Sequence, residues 1–453
     1  MRLGQGESVM SHETHTRSST VLFATSRERR SCRRRGAPTG ATWLVILSLA
    51  ACGDSATGPG VQAGSWVDVV AGSNHACGLT SEGVAYCWGA TNSGQAGSPL
   101  GPVTAPRRVD TPITFTQIAA GGDTTCGLSE EGRLYCWGNN ALGQLGNGSG
   151  LNSFAPVPVS GGITWSAVSV GTYHVCGLDS TGELICWGGD RWDVVLVYPG
   201  SSECVAPVQE PTWWCAKEPL ELLSIGVYDW VEAGLYQTCA GRDGMGAECW
   251  GTNDLGQLGR ETTQLCTGND PLHPTTKACG KAPVPPAGGP MVRAQPGTTH
   301  GCGLDATGGV WCWGGLQLNF GQVGDGTLHG TQVPVPVATG GPFKAVYTSH
   351  EPHIRTFSCA LEEEGAALCW GANRSGQLGS GGSPGCGPSD APCRTGPTPV
   401  AGGYAFDALA LGIEFVCGLT TEASIVCWGA NQAGQLGDDT FDSRNTPAPI
   451  KGG

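Results

Sequence analysis

Apolar positions along the chain recur in short bursts instead of helical stripes. "WVDVVAG" (Trp66 to Gly72) is a β-branched run closed by glycine, and "HACGLT" and "VAYCWG" follow it as two further strand-length segments flanking a turn. A Gly-Gln-x-Gly stretch then leads into proline-punctuated runs such as "APVPV" (Ala155 to Val159) or "VPVPV" (Val333 to Val337). Proline cannot donate to a central ladder, so these runs belong on sheet edges. The pattern predicts four-stranded units whose inner-to-outer order follows the sequence.

The unit returns seven times, and cysteines mark it: Cys77 with Cys87, Cys126 with Cys136, Cys176 with Cys186, Cys239 with Cys249, Cys302 with Cys312, Cys359 with Cys369 and Cys417 with Cys427. Each second cysteine is followed by Trp-Gly. Successive copies lie 49 to 63 residues apart, enough for one four-stranded propeller blade with variable insertions, so the expected fold is an all-β, seven-bladed β-propeller. If Cys77 faces Cys87 across a hairpin, Ser81-Glu82-Gly83 becomes a three-residue loop whose last position takes positive φ. Glycine stands there in five copies (Gly83, Gly132, Gly182, Gly308, Gly365), whereas Met245 and Ala423 stand in the fourth and seventh, whose turns should differ or be strained. Counting outward from the loop places the cysteines at a non-hydrogen-bonded pair, about 4.5 Å apart at Cα, where a cross-strand disulfide closes. The following tryptophan then projects from the other face of the blade.

Composition sharpens this picture. The 453 residues include 75 glycines and 30 prolines with few charges, as expected of short strands and tight turns. The 22 cysteines show no C-x-x-C metal spacing and point to an oxidising compartment. Near the N-terminus an arginine-rich stretch (Arg27 to Arg35) precedes an apolar run from about Ala41 to Ala51, too short for a spanning helix and of signal-peptide length. It ends in Leu49-Ala50-Ala51-Cys52, which resembles the lipobox of bacterial lipoproteins and makes Cys52 the expected lipidated residue. Gly53 at the next position suggests sorting to the outer membrane in a diderm envelope. The expected organisation is a signal region over residues 1–51, whose start is over-called, a tether over 52–64 and the propeller over 65–453. Losing residues 1–51 removes eight arginines and three glutamates and moves the formal charge from −14 to about −19. Such a surface repels phosphate backbones and disfavours nucleic acid as a partner.

The copies "HACGLTSEGVAYCWGATNSGQAG", "TTCGLSEEGRLYCWGNNALGQLG" and "SCALEEEGAALCWGANRSGQLG" resemble repeats of the regulator of chromosome condensation family, over residues from about Gly64 to Gly453. The Trp-Gly-x-Asn-x-x-Gly-Gln-Leu-Gly segment is specific to it. The resemblance implies a seven-bladed propeller. It implies little about function, since one fold hosts many. The family's eukaryotic namesake is a guanine-nucleotide exchange factor on chromatin, and bacterial relatives include a secreted inhibitor of β-lactamases. An acidic, exported, disulfide-rich chain does not carry the exchange activity over.

Function is sought where the repeats deviate. Long additions follow the Trp-Gly strand in the third, fourth and sixth copies, each with its own cysteine pair: Cys204 with Cys215, Cys266 with Cys279 and Cys386 with Cys393. Local pairing gives ten disulfides. Strand alternation puts all three additions on one face, together with the loops joining first and second strands. Stapled loops present a recognition surface at reduced entropic cost, so this is the expected binding face. The competing reading is that long loops are tolerated drift on a robust scaffold. Trp192, Tyr198, Trp213 and Trp214 of the third addition are candidate anchors, though some of them could instead pack that loop onto the propeller. Asp123, Tyr173 and Tyr236 lie in the adjoining loops, and His350, Glu351, His353 and Arg355 in the lengthened loop of the sixth copy. That last set is too short to hold a metal, and no cofactor is expected. His75, His174 and His300 recur two residues before a cysteine, which argues for a structural hydrogen bond. The chain lacks a G-x-S-x-G elbow, an H-E-x-x-H motif, a P-loop and a dinucleotide fingerprint. The expected function is therefore non-enzymatic binding of another protein, or a glycan, by a monomeric propeller tied to the cell envelope only through lipid. Alternatives are secretion without an anchor, an envelope hydrolase or lyase working at the channel mouth through Glu351 or Asp123, and a purely structural surface protein.

Overall fold

The structure is a computed structural model that describes residues 65–452, apart from residues 100, 191–201, 205–212, 222–225, 268–275, 290, 318, 340, 351–355, 383 and 387–390. For residues 202–204, 213, 214, 220, 221 and 267 it describes the backbone only. The described residues form seven antiparallel sheets. Blade 1 comprises β1 (Trp66–Ala71), β2 (His75–Thr80), β3 (Ala85–Gly89) and β4 (Val103–Arg108), and blade 2 comprises β5 to β8, from Phe115 to Pro158. Blade 3 holds β9 (Trp165–Val170), β10 (His174–Asp179), β11 (Leu184–Gly189), β12 (Ser202–Cys204) and β13 (Trp213–Glu221). Blade 4 holds β14 (Trp230–Ala233), β15 (Gln237–Arg242), β16 (Gly246–Thr252), β17 (Leu265–Thr267) and β18 (Thr276–Val284). Blades 5, 6 and 7 are β19 to β22 (Met291 to Pro336), β23 to β26 (Phe343 to Pro399) and β27 to β30 (Phe406 to Pro449). The proline-bearing strands β8 and β22 lie on sheet edges, as their missing donors require.

The cysteines face each other in register in every blade: Cys77 and Cys87, Cys126 and Cys136, Cys176 and Cys186, Cys239 and Cys249, Cys302 and Cys312, Cys359 and Cys369, and Cys417 and Cys427. All seven pairs are disulfides, with Cα atoms 4.0 to 4.1 Å apart, closer than the 4.5 Å expected of an unlinked pair. Cys136, Cys186 and Cys369 are fully buried together with their partners Cys126, Cys176 and Cys359. These bridges therefore hold the blades and offer nothing to a ligand. Two insertion bridges, Cys266–Cys279 and Cys386–Cys393, are also formed. Cys215 is disulfide-bonded, and the side chain of its expected partner Cys204 lies outside the described residues.

The third strand is less regular than its sequence pattern suggests. Its pairing with the outer strand shifts register directly after the second cysteine in every blade: between Cys87 and Gly89, Cys136 and Gly138, Cys186 and Gly188, Cys249 and Gly251, Cys312 and Gly314, Cys369 and Gly371, and Cys427 and Gly429. The glycine of each Trp-Gly takes φ between 95° and 106°, which a side chain would not tolerate. The five turn glycines have φ between 72° and 87°. In blade 7 Ala423 is forced to φ 56°, a conformation that crowds its Cβ, whereas blade 4 turns through Gly244 and Gly246 and leaves Met245 exposed.

Disulfide and tryptophan project from opposite faces of each blade, so every seam holds one of each from neighbouring blades. The Cys77–Cys87 bridge packs with Trp137 of blade 2, Cys126–Cys136 with Trp187 of blade 3, and Cys176–Cys186 with Trp250 of blade 4. Around the rest of the ring, Cys239–Cys249 packs with Trp313, Cys302–Cys312 with Trp370, Cys359–Cys369 with Trp428, and Cys417–Cys427 with Trp88 of blade 1. Six indoles also make a polar link backwards. Trp88, Trp137, Trp187, Trp313, Trp370 and Trp428 donate to the backbone carbonyls of Gln435, Gln95, Gln144, Gln257, Gln322 and Gln377 at 2.8 to 3.1 Å. Trp250 faces blade 3, whose copy has no Gly-Gln stretch.

That geometry accounts for the recurrent segment after Trp-Gly residue by residue. The Asn140 side-chain carbonyl accepts from the Leu145 amide, and the Gln144 side chain accepts from the Leu142 amide. A Cβ on Gly146 would stand 2.7 Å from the Trp187 Nε1, which no side chain could occupy without moving the indole. Blade 7 meets blade 1 by the same devices, without strand exchange: each sheet is built from consecutive strands, and the closing seam adds Ile413 N to Ser73 O at 3.0 Å and Thr104 Oγ1 to Asp439 Oδ1 at 3.1 Å.

Candidate binding face and axial cavity

The additions in blades 3 and 4 do more than lengthen loops. Each contributes a fifth, outermost strand: β12 pairs with β13, and β17 with β18. Both lie between the third and fourth strands, so they widen adjacent blades on the face where the first-to-second loops also emerge. Tyr173 and Tyr236 come from two of those loops and stack across the seam, ring centroids 5.4 Å apart and 23° from parallel. Both are half-buried. Both pack near Leu142 and Cys215, and Tyr236 also against Cys266 and Cys279, so the pair fastens the two stapled additions to the ring. Lys277 of β18 reaches Asp254 at 2.6 Å on the same rim.

The other expected residues fall differently. Asp123 accepts from Gln95 Nε2 of blade 1 at 2.9 Å, and burial pushes its carboxyl above the usual range. Trp213 and Trp214 lie on β13 opposite Cys204 and Glu203, and their side chains are outside the described residues. Trp192, Tyr198, Glu351, His353, Arg355 and Cys52 are outside the described residues altogether. His350 is described, and its carbonyl accepts from the Thr172 hydroxyl at 2.9 Å. Because His350 belongs to blade 6 and Thr172 to blade 3, this bond spans the propeller axis at the face carrying the additions. Among the described residues no group of three His, Cys, Asp or Glu could hold a metal ion. His75, His174 and His300 make the expected structural bonds, their Nε2 atoms lying 2.7 to 2.9 Å from Thr125, Thr238 and Ser358 of the next blade.

Two features were missed from sequence. Exposed apolar side chains recur between the third and fourth strands of several blades: Leu151 (77%), Leu265 of β17 (60%) and Phe441 (54%), with Leu316 and Leu328. The second is a cavity of about 390 Å³ on the axis, walled by the inner strands. Ala and Val are the commonest residues of its lining, which Asp68, Gln117, Ser169, Asp229, Glu232, Gln295, Tyr347, Thr348 and His350 interrupt. Burial foremost lifts Asp68 to about 6 and Glu232 to about 7, and Tyr347 rises to about 12 by burial and by the charges of Glu232 and Asp68. Arg293 lies over the Trp230 ring at 5.0 Å and partly offsets the burial of Glu232. The available signal was the polar residue at alternate positions of an otherwise small, apolar inner strand, such as Asp68 within "WVDVVAG".

The fold and the seams define a propeller built from repeats of one class. Sequence profiles of the regulator of chromosome condensation (RCC1) repeat match residues 66–95, 115–144 and 131–178. The chain is 34% identical over 144 residues to the human E3 ubiquitin-protein ligase HERC2, covering 30% of this chain and 3% of that protein. It is 27% identical over 249 residues to the human probable E3 ubiquitin-protein ligase HERC4, covering 52% and 21%. The chain thus spans only a small part of those curated relatives. Among solved structures it resembles Prp20p from Saccharomyces cerevisiae, described together with its binding to Gsp1p and histones (TM-score 0.63, 19% identity, 82% of this chain and 87% of that one). Human WBSCR16 is similar at TM-score 0.60 and 18% identity, with 81% and 93% covered. At such identities the likeness concerns the fold.

Proposed function

We propose that this RCC1-like propeller is a non-enzymatic binding protein of the bacterial cell envelope, anchored through lipid on Cys52, that takes another protein on the face carrying the stapled additions. The supporting observation is the two added strands of blades 3 and 4, joined across their seam by the Tyr173–Tyr236 stack, with exposed Leu151, Leu265 and Phe441 in the corresponding third-to-fourth connections. Interfaces favour such rigid, partly apolar surfaces with aromatic anchors. Relatives of the same repeat class are described in complexes with proteins, Prp20p with Kap60 among them, which is consistent with a protein partner here.

The test follows the structure's boundaries. Because β13 is the fourth strand of blade 3 and bonds to β11, the excision must stop before Trp213. Replacing residues 196–212 with a short linker, together with Cys215→Ser, should leave the melting transition cooperative. It should also abolish cross-links between the propeller and its envelope partner that map to blades 3 and 4 in the parent chain. Unchanged cross-links would refute the assignment of the face. The anchor is read separately, by mass spectrometry of the mature N-terminus with Cys52→Ser as control: a diacylglyceryl cysteine is expected in the parent chain only.

A further inference from the structure

The axial cavity is not used by the binding face. It is crossed on that side by the bond from Thr172 to His350, so its free approach is from the opposite face, where the inner strands begin with exposed Val67, Thr116, Ser166 and Val292. Its lining carries three carboxyls: Asp68 from blade 1, Glu232 from blade 4 and the exposed Asp229 just before β14, with Tyr347 of blade 6 within electrostatic reach of Asp68 and Glu232. Glu232 is held by Gln295 and Ser169 and sees Arg293. For Asp68 the bond described is to the amide of its own neighbour Val69, at 2.8 Å. A second feature is independent of the acids. Thr348 lines the same cavity and is 4% exposed, and its hydroxyl has no hydrogen-bond partner among the described residues. A buried hydroxyl left unbonded, in a lining that also carries carboxyls, is an arrangement that costs free energy unless a guest bonds to it.

We propose that the axial cavity binds a compact primary alkylammonium group, seated between Asp68 and Glu232 with the Thr348 hydroxyl and Gln295 as further acceptors. An ammonium offers three donors and one charge, which matches two carboxyls and a hydroxyl, and the Ala and Val lining suits an alkyl stem. A metal ion fits less well: the lining carries Asp68, Asp229 and Glu232, but among the described residues no three His, Cys, Asp or Glu are grouped to hold one. The group can come from a free amine or from a lysine side chain of another molecule. Both share the chemistry, and the experiment separates them.

The test is titration calorimetry of the oxidised full chain with 1,5-diaminopentane, and in parallel with a lysine-bearing peptide, at matched ionic strength. Saturable one-to-one binding is expected at pH 8, weaker by at least about tenfold at pH 5, because protonating Asp68 and Glu232 removes the buried attraction; Arg293, His350 and Tyr347 supply no negative charge, and the exposed Asp229 already accepts from the Asp243 amide. Asp68→Asn, and separately Thr348→Val, should weaken binding by about tenfold each while circular dichroism and the melting transition stay native-like. Asp68 faces the void, so its replacement tests the site even where Glu232→Gln fails to fold. Binding of the diamine alone assigns a free amine, and binding of the peptide assigns a side chain. No saturable heat with either probe at pH 8, or binding indifferent to Asp68→Asn, overturns the proposal.

Discussion

At the residue scale, the seams are specified by a pairing rule between neighbouring repeats. The Thr125 hydroxyl donates its proton to the Gln95 carbonyl at 3.0 Å, so the His75 Nε2 must carry the proton that bridges them, and Ser358 fixes His300 in the same way through Gln322. The Nδ1 atoms of His75, His174 and His300 are buried without a hydrogen-bond partner, and burial draws the ring pKa values down to about 3. Where the position holds Phe357 or Phe415, the next blade presents Val416 or Ala76 instead of a hydroxyl. Thr125→Val should therefore cost about 1–3 kcal/mol by stranding the His75 N–H. The double variant His75→Phe/Thr125→Val, which copies the Phe357–Val416 seam between blades 6 and 7, should recover about 1 kcal/mol of that relative to additivity, measured by urea denaturation. At the seventh turn, Ala423→Gly relieves the positive φ and should raise stability by about 0.5–1 kcal/mol in the same assay, whereas Gly83→Ala, with a Cβ 2.9 Å from the Phe115 carbonyl, should lower it.

At the scale of the element, each hairpin is a closed unit. The ten-residue cysteine spacing, the turn glycine and the Trp-Gly that follows were legible as a stapled hairpin, and the non-hydrogen-bonded register follows from the three-residue loop: Thr80 N bonds Val84 O, so Gly78 with Tyr86 is bonded and Cys77 with Cys87 is not. The bulge that follows Cys136, Cys186, Cys369 and their counterparts was not legible, because it depends on how the outer strand approaches. Replacing both Cys302 and Cys312 by alanine should cost about 2–3 kcal/mol through the freed denatured chain, read by urea denaturation. Nor did the sequence disclose that the additions would become strands. "SEC" and "LCT" are three-residue segments without their own periodicity, and they pair only because β13 and β18 present nine-residue edges to them. A short strand owes its existence to its neighbour, and the neighbour is set by tertiary position.

At the scale of the whole molecule, stability and closure are properties of the ring. The buried histidines stay neutral in the folded chain down to about pH 3, while in the unfolded chain they take up protons below about pH 6.5, so their contribution is lost as pH falls through that window. Asp68 and Glu232 act with the opposite sign: folded pKa values near 6 and 7 make their protonated forms favourable, and that contribution is lost as pH rises through those values. Burial draws His350 down as well, to about 4, and these four histidines outweigh Asp68, Glu232 and Asp123, so the melting temperature measured by scanning calorimetry should fall from pH 6.5 toward pH 4. Asp68→Asn should raise it at pH 8 and leave it nearly unchanged at pH 4. Because each sheet is complete within its own stretch of chain, a circular permutant joining Gly453 to Ser65 and opening at Thr111 should keep all seven hairpin disulfides, checked by peptide mapping.

The sequence by itself determined the parts of this protein whose causes are local: strand runs, turn chemistry, cysteine spacing and the repeat count, since each depends on backbone sterics and on contacts within a dozen residues. It also marked where the additions lie, by breaking its own period. Only the tertiary structure decided which groups meet across blades. It put Tyr173 beside Tyr236, carried His350 over the axis to Thr172, and brought Asp68 and Glu232 to the wall of one cavity within reach of Tyr347, although they lie far apart in sequence. A polar residue on an inner strand looks the same in sequence whether it faces solvent or the axial cavity. Burial, which sets its charge and its chemistry, is fixed only when the seventh blade meets the first.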